Sequence, residues 1–172
     1  WLPLEAICYS GCIAENHLDL QLAPGAQAMG WDLCALGLPE AGQPFIAGSL
    51  LQNFSLGDQW LERGRIAATN TRLMDGPLGL AGRRCIATLF FAAGEPLSRE
   101  RREQALELAR QAIAAHPLAA HAGATSPADG VVVVRVLAPL VEPAMTLLRS
   151  IRDAWRPALW DLSSNAPRLW AL

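Results

Sequence analysis

Between residues 17 and 22 the chain alternates, with Leu18, Leu20 and Leu22 set among His17, Asp19 and Gln21. A period of two buries one face of a strand and leaves the other polar. Pro24-Gly25 then breaks the run, since proline presets φ and glycine accepts a positive one. A second alternating stretch follows through Met29, Trp31, Leu33 and Ala35, with Asp32 and Cys34 on its other face. Residues 17–37 therefore predict a strand–turn–strand unit. Its polar face would carry His17, Asp19, Asp32 and Cys34.

The same reading places a strand at residues 5–9, ended by Ser10-Gly11, and a loop through Pro39, Gly42 and Pro44. Residues 45–55 and 59–67 predict two more strands around Gly57-Asp58. Residues 70–82 are rich in turn formers. The continuous apolar run at 85–92 predicts a strand covered on both faces. Ser98 then offers a helix cap, with Glu100 favourable near the N-terminal dipole. Leu106, Ala109 and Ile113 carry helical spacing up to His116-Pro117, where the helix should end. Residues 119–129 read as a small, polar loop. Residues 130–137, with Val131 to Val134, give the strongest strand signal in the chain. A second helix starts near Glu142. Leu140, Ala144, Leu147, Leu148, Ile151 and Trp155 form its stripe, and Pro157 should stop it. The apolar tail, 158–172, should dock on the body.

Many short strands followed by helix, strand and helix predict a mainly β chain with two late α-helices, an α+β fold. Its core would be layered sheets or β-helix-like. One domain over 1–172 is expected, β-rich over 1–93, with the helix–strand–helix part and the tail over 94–172. The chain opens at Trp1, directly in an apolar segment and without methionine, the start expected of a piece of a longer protein.

Composition narrows the function. A net charge of -2 lacks the basic surface that nucleic acid or an anionic membrane requires. All 14 basic residues are arginine. A GC-rich genome accounts for that, and so does a surface built for bidentate contacts. Hydrophobic residues reach 52% before glycine is added, already above the about 45–50% usual with glycine included. Some of that surface should face a partner. Cys8, Cys12, Cys34 and Cys85 match neither a zinc pattern nor a small secreted framework, so reduced, buried thiols and a cytoplasmic location are expected. The longest apolar runs fall far short of the ~18 residues a membrane span needs.

Catalytic motifs are lacking: there is no Gly-x-Ser-x-Gly elbow, no phosphate-binding glycine loop and no His-Glu-x-x-His. His116 and His121 flank a short alanine-rich loop and do not define a metal centre. Cys8 and Cys12 would stand ~13 Å apart on a continuous strand and could meet only if Ser10-Gly11 folds the chain back. Glu5, Asp19, Asp32 and Glu62 are carboxylates inside strand-like segments, where such groups are costly to bury unpaired. They read either as a solvated outer sheet face or as the lining of a polar interior passage that a divalent cation could cross between weak sites.

Several segments together resemble the urease accessory protein D family, called H in some species. They are Trp1-Leu2-Pro3-Leu4-Glu5-Ala6-Ile7, Leu22-Ala23-Pro24-Gly25-Ala26 and Gly30-Trp31-Asp32-Leu33-Cys34-Ala35-Leu36-Gly37. Leu61-Glu62-Arg63-Gly64-Arg65, Asp129-Gly130-Val131-Val132-Val133-Val134-Arg135, Trp155-Arg156-Pro157-Ala158-Leu159 and Pro167-Arg168-Leu169-Trp170 complete the set. The resemblance covers the later part of that family, whose members carry a further β-rich segment before the Trp-Leu-Pro motif. It implies a non-catalytic scaffold that binds apo-urease and accessory protein F, which recruits the GTPase G for nickel delivery. It also implies a passage carrying transient nickel, with no fixed metal site and no resident cofactor. On that basis Glu5, Asp32 and Glu62 are the candidate lining residues, with Arg63 orienting a neighbouring carboxylate. The alternative is a β-rich, non-catalytic module that binds a protein or small ligand.

Overall fold

The strands with the strongest apolar signal form the centre of the molecule. β-branched and aromatic residues suit a pleated surface covered on both faces, and β7 (Cys85–Ala93) and β9 (Val131–Ala138) are almost wholly buried. The computed structural model describes residues 1–171, apart from the side chains of Leu169 and Ala171. Leu172, the last residue of the expected tail, lies outside the described residues.

Around β7 and β9 the order is β1-β3-β7-β9-β8, with β1 at Ala6–Cys8, β3 at Gln27–Leu38 and β8 at Ala122–Ala128. A short β4 (Gln43–Pro44) pairs with the end of β3. β1 runs parallel to β3, and the other neighbours are antiparallel. A separate three-stranded sheet has the order β2-β5-β6, from Ile13–Leu20, Ser49–Leu56 and Trp60–Ala67. The small helix α1 spans Thr71–Asp75, and α2 and α3 span Arg99–Ala114 and Val141–Trp160.

The layers follow from side-chain alternation. Trp31, Leu33, Leu89, Phe91, Val132 and Val134 of the large sheet pack with Leu106, Ile113, Leu147, Ile151 and Trp155 of the helices. Phe90, Ala92, Val131 and Val133, on the opposite face, pack with Phe54, Leu56 and Trp60 of the small sheet. The architecture is helices on sheet on sheet, α+β, with 38% strand and 29% helix. The core is layered, and the β-helix-like variant is not what the chain adopts.

Three local expectations are corrected. Residues 17–37 do not form a paired hairpin. The turn exists, with Ala26 N–H donating to Ala23 O at 2.9 Å, but β2 pairs in parallel with β5 of the small sheet while β3 joins the large one. Residues 122–128 are not a loop. They form edge strand β8 on β9, with a register shift between Thr125 and Ala128 that accommodates Pro127 at a sheet edge. Pro157 does not stop α3. Its missing N–H falls in the last turn, and the helix ends at Asp161 (φ 53°), where Leu162 N–H reaches Arg156 O at 3.2 Å. A left-handed residue with a six-to-one bond is a standard helix terminus. Ser98 does cap α2, accepting from Arg101 N–H at 3.2 Å.

Among the described residues no helix is long and apolar enough to cross a membrane. Several large apolar side chains stand in solvent, including Trp1, Ile13, Ile46, Leu61 and Leu78, the last 100% exposed.

Candidate functional site

The space between the two sheets holds two apolar clusters. One contains Cys8, Cys34, Leu36, Leu50, Ile66 and Met74. The other contains Phe54, Trp60, Phe90 and Val133. A polar position separates them on every strand that crosses the interface. On β3, Asp32 lies between Cys34 and Gly30; on β7, Thr88 between Ile86 and Phe90; on β9, Arg135 between Leu137 and Val133. On the small sheet, Asn16 lies between Ala14 and Leu18, Gln52 between Leu50 and Phe54, and Glu62 with Gly64 between Trp60 and Ile66.

Register makes these six strands one row. Asp32 stands opposite Thr88, and Thr88 opposite Arg135. Asn16 stands opposite Gln52, and Gln52 opposite Gly64. The sheets are then joined across the gap. Asn16 Nδ2 donates to Asp32 Oδ1 at 2.6 Å and Gln52 Nε2 to Asp32 Oδ2 at 3.1 Å. Arg135 Nε donates to Glu62 Oε1 at 3.1 Å while its Nη2 pairs with Oε2. Thr88, 4% exposed, sits between these two bridges. Gly64 adds no side chain, and a Cβ there would meet nothing within 4 Å.

Burial raises the Asp32 carboxyl above its ordinary value, partly offset by the amide donors of Asn16 and Gln52. Two residues along the same face, Cys34 Sγ lies 3.4 Å from Cys8 Sγ. The Cys34 hydrogen bond holds the Cys8 thiol down to about 7, while Cys34 itself is pushed far up. Burial pushes Cys85 up to about 12.

The raised Asp32 carboxyl has a testable consequence. The folded chain holds this proton to higher pH than the unfolded chain does, so ionising it costs stability as pH rises from about 4 through the folded value. Asp32→Asn removes that cost and keeps the shape; Gln52, turned about its amide, can accept from the new Nδ2. Urea unfolding at pH 7 should show the variant more stable by about 1 kcal/mol, the scale of one buried polar interaction. At pH 4 the gain should shrink. A variant less stable than the parent at pH 7 would contradict the placement.

Of the four candidate lining residues, the structure brings Asp32 and Glu62 to this row and places the other two elsewhere. Glu5 is exposed, in a groove on the helix side with Glu142, Arg149 and Trp170. Arg63 points away from Glu62 on the outer face of β6, opposite Asn53. The guanidinium that reaches Glu62 is that of Arg135, from the other sheet. The expected polar face also divides. His17 lies on the outer face with Glu15 (3.1 Å) and Asn53 (3.4 Å), and Asp19 accepts there from Ser55 at 3.2 Å. His116 and His121 serve local structure: His116 Nδ1 accepts from Leu118 N–H, and His121 Nε2 lies 2.9 Å from Arg83 Nη2.

Asn16, Gln52, Thr88 and Arg135 escaped sequence reasoning. The only local signal was a single polar residue interrupting an apolar run, as Arg135 does after four valines. Chemically, the row offers two carboxylates, two amides, a hydroxyl and a guanidinium between apolar clusters, buried at Thr88 and open to solvent at the Arg135–Glu62 end. Among the described residues no three His, Cys, Asp or Glu side chains are arranged to hold an ion.

Comparison with known proteins gives one consistent result. The family model described as UreD urease accessory protein matches residues 1–171. A "Urease accessory protein UreD" of Polaromonas sp. (strain JS666) is 61% identical over 172 residues, covering 100% of this chain and 62% of that protein. Proteins of the same name from Variovorax paradoxus (strain S110) and Methylibium petroleiphilum are 59% and 43% identical, each covering 99% of this chain and 62% of the relative. The chain thus spans about three-fifths of the length of these curated relatives.

Proposed function

The chain belongs to the UreD urease accessory protein family, and from that premise we propose that it is a non-catalytic scaffold for urease maturation, acting in the cytoplasm with accessory proteins F and G. Its cargo is nickel, received and passed to apo-urease and not retained. The observation that carries this reading is the polar row between the sheets. On each crossing strand one polar position separates two apolar clusters, and Asp32 and Glu62 both belong to it.

The row suits transit for three reasons. Its donors are hard or borderline, which nickel accepts without the locking effect of several thiolates. Asp32 is engaged by two neutral amides, which an entering ion can displace and give back, while the two-pronged guanidinium of Arg135 holds Glu62 in place beside it. Its neighbours are apolar, which confines a polar solute to one layer. Exposed Ile13, Ile46, Leu61 and Leu78 are suited to contact with the protein partners.

The test is co-purification combined with activation. The tagged protein should retain accessory protein F and apo-urease. In cells lacking their own family member, it should restore urease activity and nickel content. If it retains neither partner and restores neither property, the reading falls, and a binding module of another kind takes its place.

A further inference from the structure

The outer face of the small sheet sorts its charges by strand. Ile13, Glu15, His17 and Asp19 of β2 point away from the large sheet, since Ala14, Asn16, Leu18 and Leu20 between them point toward it. Register sets Glu15 beside Leu51 and Leu51 beside Arg65, then His17 beside Asn53 and Asn53 beside Arg63. The face therefore has an acidic column on β2, a basic column on β6 and an uncharged strand between them. Glu15, Asp19, Arg63 and Arg65 are all exposed. The columns stand about 10 Å apart, two strand spacings, and within the chain they do not meet. Glu15 pairs with His17 at 3.1 Å, Asp19 accepts from Gln21 at 3.1 Å and from Ser55 at 3.2 Å, and Arg65 donates to Ser49 at 3.0 Å. Among the described residues no ion pair spans the face.

We propose that this face is a contact between two copies of the chain. A pattern with acid on one side and base on the other is complementary to itself. A two-fold axis laid along β5, in the plane of contact, turns a second copy face to face with the first. Each β2 column then lies over the other copy's β6 column. Glu15 meets the second copy's Arg65 in its own row. The second copy's Arg63 falls over His17, within reach of Glu15 and Asp19 on either side. The reciprocal pairs form by symmetry. Ile13 and Leu61, exposed at opposite corners of the face, are covered by the same contact. A partner of one charge sign would match one column and set like charges against the other, which favours a second copy.

The size of the face sets the strength of the contact. Each strand has 8 residues, so three strands make a patch of about 400 Å², roughly half the ~800 Å² per partner of a standard interface. The dimer is therefore weak, rapidly exchanging and screened by salt. It leaves the large sheet and the helices of both copies facing outward. The row between the sheets lies on the opposite side of the small sheet. Nickel delivery does not depend on the dimer, so a monomer in solution would leave that reading untouched.

The test is sedimentation at neutral pH over a range of protein concentrations, at about 0.01 M salt and at about 1 M, between which the screening length falls from about 30 to about 3 Å. The parent should associate to a dimer at low salt and be monomeric at high salt. Glu15→Arg with Asp19→Arg makes the face all basic, and Arg63→Glu with Arg65→Glu makes it all acidic. Each variant alone should self-associate more than about 100-fold more weakly, because like charges then oppose each other in both columns. Mixed in equal amounts, the two should form a heterodimer, and the variant carrying both pairs of changes should dimerise again. The salt comparison on the parent stands even if a variant fails to fold. A parent monomeric at low salt, a dimer that survives high salt, homodimers of either one-sign variant, or no association between the folded variants would each overturn the proposal. Loss of accessory protein F by those variants, with a parent that does not self-associate, would give the face to that protein instead.

Discussion

Trp155→Ala should remove most of the stability of the fold. The indole is 0% exposed, its N–H donates to Ala105 O at 2.8 Å, and its ring centroid lies 6.1 Å from that of Phe91. It is the contact at which α3 meets both α2 and the large sheet. Truncating a buried aromatic costs about 3–5 kcal/mol, from lost transfer energy and the cavity left behind. A domain holds only about 5–15 kcal/mol in total. Urea unfolding should therefore shift to much lower midpoints, or the variant should be unfolded at 37 °C. Trp160→Ala, on the same helix but only half-buried, should cost distinctly less. A loss below about 1 kcal/mol for Trp155→Ala, less than a single core methyl group or two, would show that the helices are not fastened there.

Gly48→Ala should be the second large loss, by a different mechanism. Gly48 has φ +94°, and a Cβ there would lie 2.2 Å from Cys12 O. The same carbonyl accepts from Ser49 N–H at 2.9 Å, while Gly48 O accepts from Ala68 N–H at 3.0 Å. Backbone strain of about 1–3 kcal/mol then adds to an overpacking cost of about 1–3 kcal/mol. Gly25→Ala separates the two contributions, because Gly25 has φ +79° with nothing within 4 Å of the new methyl group. It should show the strain alone. Equal losses in thermal unfolding would mean that the contact with Cys12 does not matter. The position also bears on the row, because it starts the β2–β5 pairing that sets Asn16 opposite Gln52.

How far the sequence could be read follows the same physics. β7 and β9 were legible as unbroken apolar runs rich in β-branched and aromatic residues, the two long helices by their helical spacing, and the Ser98 cap by its local chemistry. β8 was not: its Ala-Gly-Ala-Thr-Ser-Pro-Ala sequence has little strand preference and is held by the otherwise unpaired edge of β9. The Pro24-Gly25 turn was legible, but not the partners of the strands it joins, since β2 finds β5 across 36 residues. Asp32 and Glu62 stood out as carboxylates within strands. Asn16, Gln52, Thr88 and Arg135 are each unremarkable alone, and only the register of six strands makes them one layer. Alternation explains Arg63 as well: a neighbour in sequence to Glu62 must point to the opposite face, so the partner of Glu62 had to come from elsewhere.

Position, not charge, is what the account holds to be decisive, and one comparison separates them. Urease would be matured in cells with the protein carrying either Asp32→Ala with Glu62→Ala or Glu15→Ala with Asp19→Ala. Each pair removes two carboxylates, the first from between the sheets and the second from the outer face. Nickel content and activity of the urease should fall by about tenfold with the first pair, the low end of what losing an ion's supporting groups costs. They should stay near the parent level with the second, and both variants should still bind accessory protein F. Undiminished nickel loading by the first pair, or an equal fall with the second, would contradict the assignment of the row.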